Sequence, residues 1–131
     1  HKIYNNLENT IYYFILALYN WNSIEGLWDY TQRRIMEEKK KKKIINELVE
    51  LFNLVFDAYR TFDKEKKYEP IKPNIGEKFD SDKHSIKGTK TDGLIEEVLL
   101  EGIFDSKLKK VIFKAFVKVK WGAKNEYHFN Q

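Results

Sequence analysis

The segment Val111-Ile-Phe-Lys-Ala-Phe-Val-Lys-Val-Lys-Trp121 decides the fold of the second half of this 131-residue chain. Apolar side chains occupy every second position from Phe113 to Trp121, and the residues between them are three lysines and Phe116. This alternation predicts a β-strand with one apolar face and one mostly basic face. We therefore expect a small antiparallel sheet that is covered on one side only.

A second strand is predicted upstream of that segment, from Leu94 to Phe104, with a bend at Gly102. The residues Asp105-Ser-Lys107 separate the two strands and are typical of a turn. Residues 77–93 are polar and contain two glycines, which indicates turns and short strands. The second half of the chain is thus predicted to be β-rich.

Helical periodicity ends before Pro70 and Pro73, because proline lacks a backbone N–H and restricts the residue before it. We therefore divide the chain into a helical subdomain for bundle formation or dimerisation, residues 1–68, and a small β-rich subdomain, residues 69–131. The predicted fold class is α+β, with long N-terminal helices in a hairpin or bundle followed by a small antiparallel β-domain.

Two stretches predict the helices. Residues 3–19 carry apolar side chains at spacings of three and four, and the second half of this helix is apolar almost all round. Such a helix is expected to be buried in a dimer or in its own domain. The residues expected to make this packing are Tyr12, Tyr13, Leu16 and Tyr19. A further helix of about 40 residues, from about Ser23 to about Phe62, is long enough that we expect it to project, kink or fold into a hairpin.

Composition excludes several classes of function. The chain has no cysteine, so disulfides, thiolate zinc sites and cysteine nucleophiles are absent. Its three histidines lie far apart, and no spacing of His, Asp and Glu matches a metal site. The sequence contains no phosphate-binding glycine loop and no nucleophile elbow. We therefore predict no catalytic residues, no metal and no cofactor, and expect a binding protein rather than an enzyme.

Charge and hydropathy bear on partners and location. The net charge is +4, and much of the excess lies in Lys39–Lys43, which we interpret as a solvated helix face. The longest apolar run, Ile11–Tyr19, is about half of what a membrane-spanning helix requires, so no membrane span is predicted. The absence of cysteine is compatible with a reducing compartment, and we expect a cytoplasmic location. Because the chain begins at His1 rather than at Met, we expect it to be a domain of a longer protein.

The stretch Pro73-Asn-Ile-Gly-Glu-Lys-Phe-Asp-Ser-Asp-Lys-His84 resembles the entry into the β-domain of GrpE, the nucleotide exchange factor of DnaK-type heat-shock chaperones. The usual pattern there is G-x-x-F-D-P-x-x-H-E-A. Further along, Gly102 falls where the family has a glycine, and Ala115-Phe-Val-Lys-Val119 resembles the family's final R-P-A-x-V-x-V. The resemblance covers residues 70–121.

The sequence departs from the family pattern at three places. Ser81 replaces the proline after F-D, Ser85-Ile86 replace E-A, and Phe113-Lys114 stand where the family has R-P. In addition, the chain is basic, whereas GrpE proteins are generally acidic. These differences indicate a divergent relative.

The resemblance implies a co-chaperone that binds a DnaK-type chaperone, holds its nucleotide-binding domain open and so releases ADP. It also implies structural roles for the motif residues, namely Gly76, Phe79, Asp80, His84, Gly102 and Ala115. We place the contact with the partner protein on the sheet, at Phe104, Lys114, Phe116 and Lys118.

Two alternatives remain open. The same fold could serve as a protein–protein adaptor or as an oligomerisation domain of a larger protein, including a homodimer, which predicts a mass that rises with concentration. A basic nucleic-acid-binding module, with Phe116 stacked on a base, predicts affinity that falls steeply with salt. We do not expect the nucleic-acid partner, because a lone aromatic on a lysine-rich strand is more often an ordinary solvated edge.

Overall fold

The computed structural model describes residues 20–37, 41–88 and 93–120. The chain divides between Glu65 and Lys66 into two compact units, the first with helices and the second with strands. The α+β fold class is therefore confirmed. The predicted boundary after residue 68 lies slightly later and falls inside the first strand, which begins at Tyr68.

The described part of the first unit contains two helices, α1 (Trp21–Met36) and α2 (Lys42–Phe62). The Asn20 side chain accepts a hydrogen bond from the Asn22 N–H at 3.0 Å and so caps the start of α1. At Glu37 the backbone is extended, which ends α1. The helical stretch predicted from about Ser23 to about Phe62 is therefore divided into two helices, which are shorter than the long helices predicted. The helices have 16 and 21 residues, and neither is long and apolar enough to cross a membrane.

Two shorter helices form because their apolar faces pack against each other. Trp21 at the start of α1 contacts Phe56 and Tyr59 towards the end of α2, with ring centroids 6.1 and 5.2 Å apart. The helices therefore run in opposite directions. Phe52 stacks on Phe56 at 5.6 Å. Among the described residues of this unit, the buried apolar ones are Ile24, Trp28, Ile35, Phe52, Val55 and Phe56.

The described part of the second unit contains six short strands. They are β1 (Tyr68–Ile71), β2 (His84–Ile86), β3 (Leu94–Leu100), β4 (Gly102–Asp105), β5 (Lys110–Phe113) and β6 (Ala115–Lys120). The strands form two sheets, with the orders β1-β4-β5 and β2-β6-β3. The β2–β6 pair is parallel and the others are antiparallel. The second sheet is therefore mixed, which corrects the prediction of a purely antiparallel β-domain, because β2 enters the sheet running in the direction of β6.

One long hairpin joins the two sheets. β3 continues into β4 after Glu101, and β5 continues into β6 after Lys114, so that each arm leaves one sheet and enters the other. Each of the two predicted strands is thus divided in two. At this crossing, a Cβ on Gly102 would lie 2.6 Å from the Ala115 nitrogen and closer still to the Phe113 carbonyl oxygen. Only glycine permits such a close approach of two backbones.

The start of β6 is covered on both faces. Ala115, Phe116 and Val117 are 0%, 2% and 0% exposed, although successive side chains point to opposite faces of a strand. The prediction of a sheet covered on one side only is therefore wrong for this part of β6. Lys118 and Lys120, further along the strand, are exposed. The core cluster contains Ile95, Ala115 and Val117, with Ile71, Phe79, Ile86, Val98 and Val119 packed around them.

Candidate functional site

The residues that resemble the GrpE motif lie in the loop between β1 and β2. Gly76 has a φ of 91°, a conformation that glycine adopts without strain. Its N–H donates to the Ile95 carbonyl at 2.7 Å, and the Ile95 N–H donates to the Glu77 carbonyl at 2.8 Å. The Phe79 N–H donates to the Gly93 carbonyl at 3.0 Å. These bonds attach the loop to the beginning of β3.

Asp80 and His84 close a turn at the end of this loop. The Asp80 N–H donates to Nδ1 of His84 at 3.0 Å, and the His84 N–H donates to the Asp80 carbonyl at 2.8 Å. The Asp80 carboxylate accepts the Asp82 N–H at 2.9 Å, which forms an Asx-type turn. The ring of Phe79 contacts the imidazole of His84, with centroids 5.8 Å apart. The turn is therefore held by backbone, side-chain and ring contacts together.

His84 connects this turn to the mixed sheet. It is the first residue of β2 and pairs with Ala115, and the Ala115 N–H donates to the Lys83 carbonyl at 2.9 Å. Gly102 approaches the same Ala115 nitrogen from the crossing of the hairpin. The two segments that resemble GrpE, far apart in sequence, are therefore adjacent in space.

The two ring nitrogens of the buried His84 have different neighbours. Nδ1 accepts the Asp80 N–H, so the proton of the neutral ring lies on Nε2, at 3.5 Å from a Glu77 carboxylate oxygen. Burial lowers the pKa of His84 below its ordinary value of 6.5; Glu77 and Asp80 oppose this shift, and Lys83 adds to it. Both nitrogens have polar neighbours and the residue is only 2% exposed. The arrangement is that of a structural histidine, which holds the turn.

We expect the stability of the fold to decrease as the pH falls below about 6.5, because of His84. In the unfolded chain this histidine takes up a proton near pH 6.5, whereas in the folded chain it stays neutral to lower pH. The unfolded state then binds more protons, and acid therefore favours unfolding. The measurement is the urea midpoint, followed by circular dichroism between about pH 7.5 and about pH 5.5.

The matched variant for this prediction is His84→Asn. The amide oxygen of asparagine can take the place of Nδ1 as the acceptor for the Asp80 N–H, but asparagine does not titrate. We expect the variant to be less stable than the wild type at neutral pH and to show a flatter pH dependence. An equally steep dependence in both proteins would show that another group is responsible.

The four predicted partner-binding residues differ in exposure. Lys114 and Lys118 are exposed, and Phe104 is half-buried. Phe116 is only 2% exposed, so its ring is not on the surface. The prediction that Phe116 lies among exposed lysines is wrong, because β6 is covered on both faces at that position. Lys118 pairs across the sheet with Glu97 of β3, whereas Lys114 lies at the crossing between β5 and β6.

Exposed apolar side chains occur at positions that the sequence pattern did not select as binding residues. On α2 the large exposed apolar side chains are Ile44, Leu51, Leu54 and Phe62, which we call the exposed apolar stripe. Their spacing places them along one side of the helix, next to the buried face. Leu108, in the turn between β4 and β5, is 67% exposed. The residues predicted to pack in a dimer, Tyr12, Tyr13, Leu16 and Tyr19, lie outside the described residues.

Comparisons with protein-family models, curated proteins and solved structures find no match to this chain. The resemblance to GrpE therefore stays a prediction from the sequence motif. Among residues 20–37, 41–88 and 93–120, no cluster of three or more His, Asp or Glu side chains could hold a metal ion. The described site therefore consists of a hydrogen-bonded loop, from Gly76 to His84, and the nearby exposed Lys114.

Proposed function

We propose that this chain is a GrpE-like co-chaperone, whose β-rich unit binds a DnaK-type chaperone and accelerates the release of ADP. The adjacency of the two GrpE-like segments carries the proposal, since His84 pairs with Ala115 and Lys83 accepts the Ala115 N–H. A short motif is easily matched by chance. Two matching segments that pair with each other are a stronger indication, because each segment then has a structural role that favours keeping its residues.

Nucleotide exchange requires no covalent chemistry from this chain. The factor has to bind the open state of the chaperone more tightly than the closed state, and that difference in affinity shifts the equilibrium towards release. The loop from Gly76 to His84 suits such a wedge, because its hydrogen bonds to β3 and its internal turn hold it in one conformation. A preformed loop loses little conformational entropy on binding.

The exposed lysines indicate the chemistry of the surface that the unit would bind. Lys114 lies at the crossing of the hairpin, one residue before Ala115, and Lys118 lies further along on β6. Positive side chains beside a rigid loop favour an acidic surface on the partner and accelerate the encounter. The proposed contact therefore includes Lys114 and Lys118, and Phe116 has no direct part in it.

We expect this chain to accelerate the release of a fluorescent ADP analogue from the DnaK-type chaperone of the same organism. The Lys114→Glu variant should be less effective by about tenfold, because an exposed charge is reversed beside the proposed contact. The matched control is Lys42→Glu, which makes the same change at the exposed first residue of α2. Both variants should keep the circular dichroism spectrum of the wild type.

The outcomes separate exchange from other uses of the fold. Release at the spontaneous rate with the wild-type chain, at both low and moderate salt, would exclude the exchange function. Equal acceleration by both lysine variants would keep the function and remove Lys114 from the contact. The experiment therefore tests the activity and its location independently.

An adaptor or oligomerisation domain is the alternative that a specific observation favours. The exposed apolar stripe on α2 is of the kind that marks protein–protein contacts. Its residues are Ile44, Leu51, Leu54 and Phe62. Sedimentation over a wide range of concentrations distinguishes this alternative, since self-association raises the mass with concentration. The nucleic-acid alternative loses its stacking residue, because Phe116 is buried.

A further inference from the structure

The turn between β4 and β5 is built around a buried carboxylate. Asp105 is 1% exposed, and one of its oxygens accepts the Lys107 N–H at 3.0 Å and the Leu108 N–H at 2.9 Å. The other oxygen is 3.5 Å from Nζ of Lys67. Burial alone would raise the pKa of Asp105, but the Leu108 N–H, the Lys67 ammonium and the Lys107 N–H together lower it. The carboxylate therefore stays charged and holds the turn.

Ser106 fixes the same turn to the segment before β1. Its N–H donates to the Lys67 carbonyl at 2.8 Å, and its hydroxyl donates to the same carbonyl at 2.9 Å. Lys109 closes the turn in a left-handed conformation with a φ of 57°. These bonds set the conformation of the turn in the free protein.

The side chains that this turn presents are one leucine among positive charges. Leu108 is 67% exposed, and its neighbours Lys107, Lys109 and Lys110 are all exposed. No acidic residue occurs from Ser106 to Lys114. A turn that served only to connect two strands would need neither an exposed leucine nor such firm support. Rigid support is useful for binding, because it reduces the entropy that is lost when the side chain is immobilised.

We propose that Leu108 inserts into a small apolar pocket with an acidic rim on the partner protein, and that the neighbouring lysines pair with that rim. This inference rests on the proposed function, in which the partner is a DnaK-type chaperone, and it adds a second contact to the one at Lys114. A protein suits this surface better than a membrane does, because one leucine buries too little apolar surface to hold a protein at a bilayer. A second copy of this turn is also a poor partner, since its lysines would repel the lysines that flank Leu108 in the first copy.

The test is the affinity of the chain for the nucleotide-free DnaK-type chaperone, measured by titration calorimetry. We expect Leu108→Ala to weaken binding about tenfold, which is typical for the loss of a central apolar anchor. The variant should fold normally, because the Leu108 backbone N–H that bonds to Asp105 is retained. The matched control is Met36→Ala, which truncates an apolar side chain of 58% exposure at the end of α1 and should bind like the wild type.

A charge variant tests the acidic rim. The Lys110→Glu substitution reverses the charge at the first residue of β5 and should slow association with the chaperone. The binding that remains should depend less on the salt concentration. If the wild type binds and Leu108→Ala binds equally well, the inference about Leu108 is overturned while the proposed function stands. Equal weakening by Leu108→Ala and Met36→Ala overturns it as well. If the wild type does not bind the chaperone, both proposals are overturned.

Discussion

Replacement of Gly102 by alanine is expected to destabilise the β-rich unit by more than about 4 kcal/mol, which places it among the most damaging single substitutions. The new Cβ would lie 2.6 Å from the Ala115 nitrogen and closer still to the Phe113 carbonyl oxygen. Both obstacles are backbone atoms, which cannot rotate away as a flexible side chain can. To relieve the clash, the backbone at residue 102 would have to move away from the segment where β5 passes into β6. Urea unfolding followed by circular dichroism measures the effect.

Gly26→Ala is the matched control for this substitution. Gly26 lies in α1, where an added Cβ would meet nothing within 4 Å. Alanine is favoured over glycine in a helix by about 0.5–1 kcal/mol, so this variant should be slightly more stable than the wild type. If Gly102→Ala and the wild type had the same urea midpoint, the backbone at Gly102 could not lie as close to Phe113 and Ala115 as described.

The second large effect is expected for Phe52→Ala in the helical unit, at about 3–5 kcal/mol. Phe52 is 0% exposed, and its ring stacks on Phe56 at 5.6 Å. Truncation removes the buried ring and leaves a cavity among the aromatic side chains, which the helices can fill only in part. The measurement is the thermal midpoint of the helical circular dichroism signal, which should fall by many degrees.

Glu50→Ala on the same helix is the control for this prediction. Glu50 is exposed, so its replacement should change the stability by no more than about 0.5 kcal/mol. Equal midpoints for Phe52→Ala and Glu50→Ala would contradict the description of Phe52 as part of a packed core.

The sequence predicted the kinds of secondary structure better than the places where they end. The apolar residues at every second position begin at Phe113, before Lys114, and continue to Trp121, so nothing in this pattern indicates that the chain changes sheets at Lys114. The change depends on the close approach of Gly102 to a segment that follows it in the chain. Likewise, the charged run from Glu37 to Lys43 contains no glycine or proline that would end a helix. The backbone at Glu37 is nevertheless extended, and contacts between α1 and α2 favour two helices.

The candidate site shows the same division between local and non-local information. Gly76 and Asp80 are residues whose chemistry suits a positive φ and an Asx-type turn, and the structure has both at these positions. The burial of Phe116 was not predictable in this way. Its lysine neighbours placed it on a basic strand face, and only the packing on the second side of β6 removes its ring from the surface.

The hairpin that joins the two sheets also suggests an order of folding. β4 and β5 are connected by a short turn, so their pairing closes only a small loop and can occur early. β1 and β2 reach their partners β4 and β6 across much longer stretches of chain, and this ordering costs more entropy. The hairpin would then act as the nucleus onto which both outer strands are added. The loop that ends at His84 would accordingly be among the last parts to form, and the chain would acquire its binding surface only when folding is almost complete.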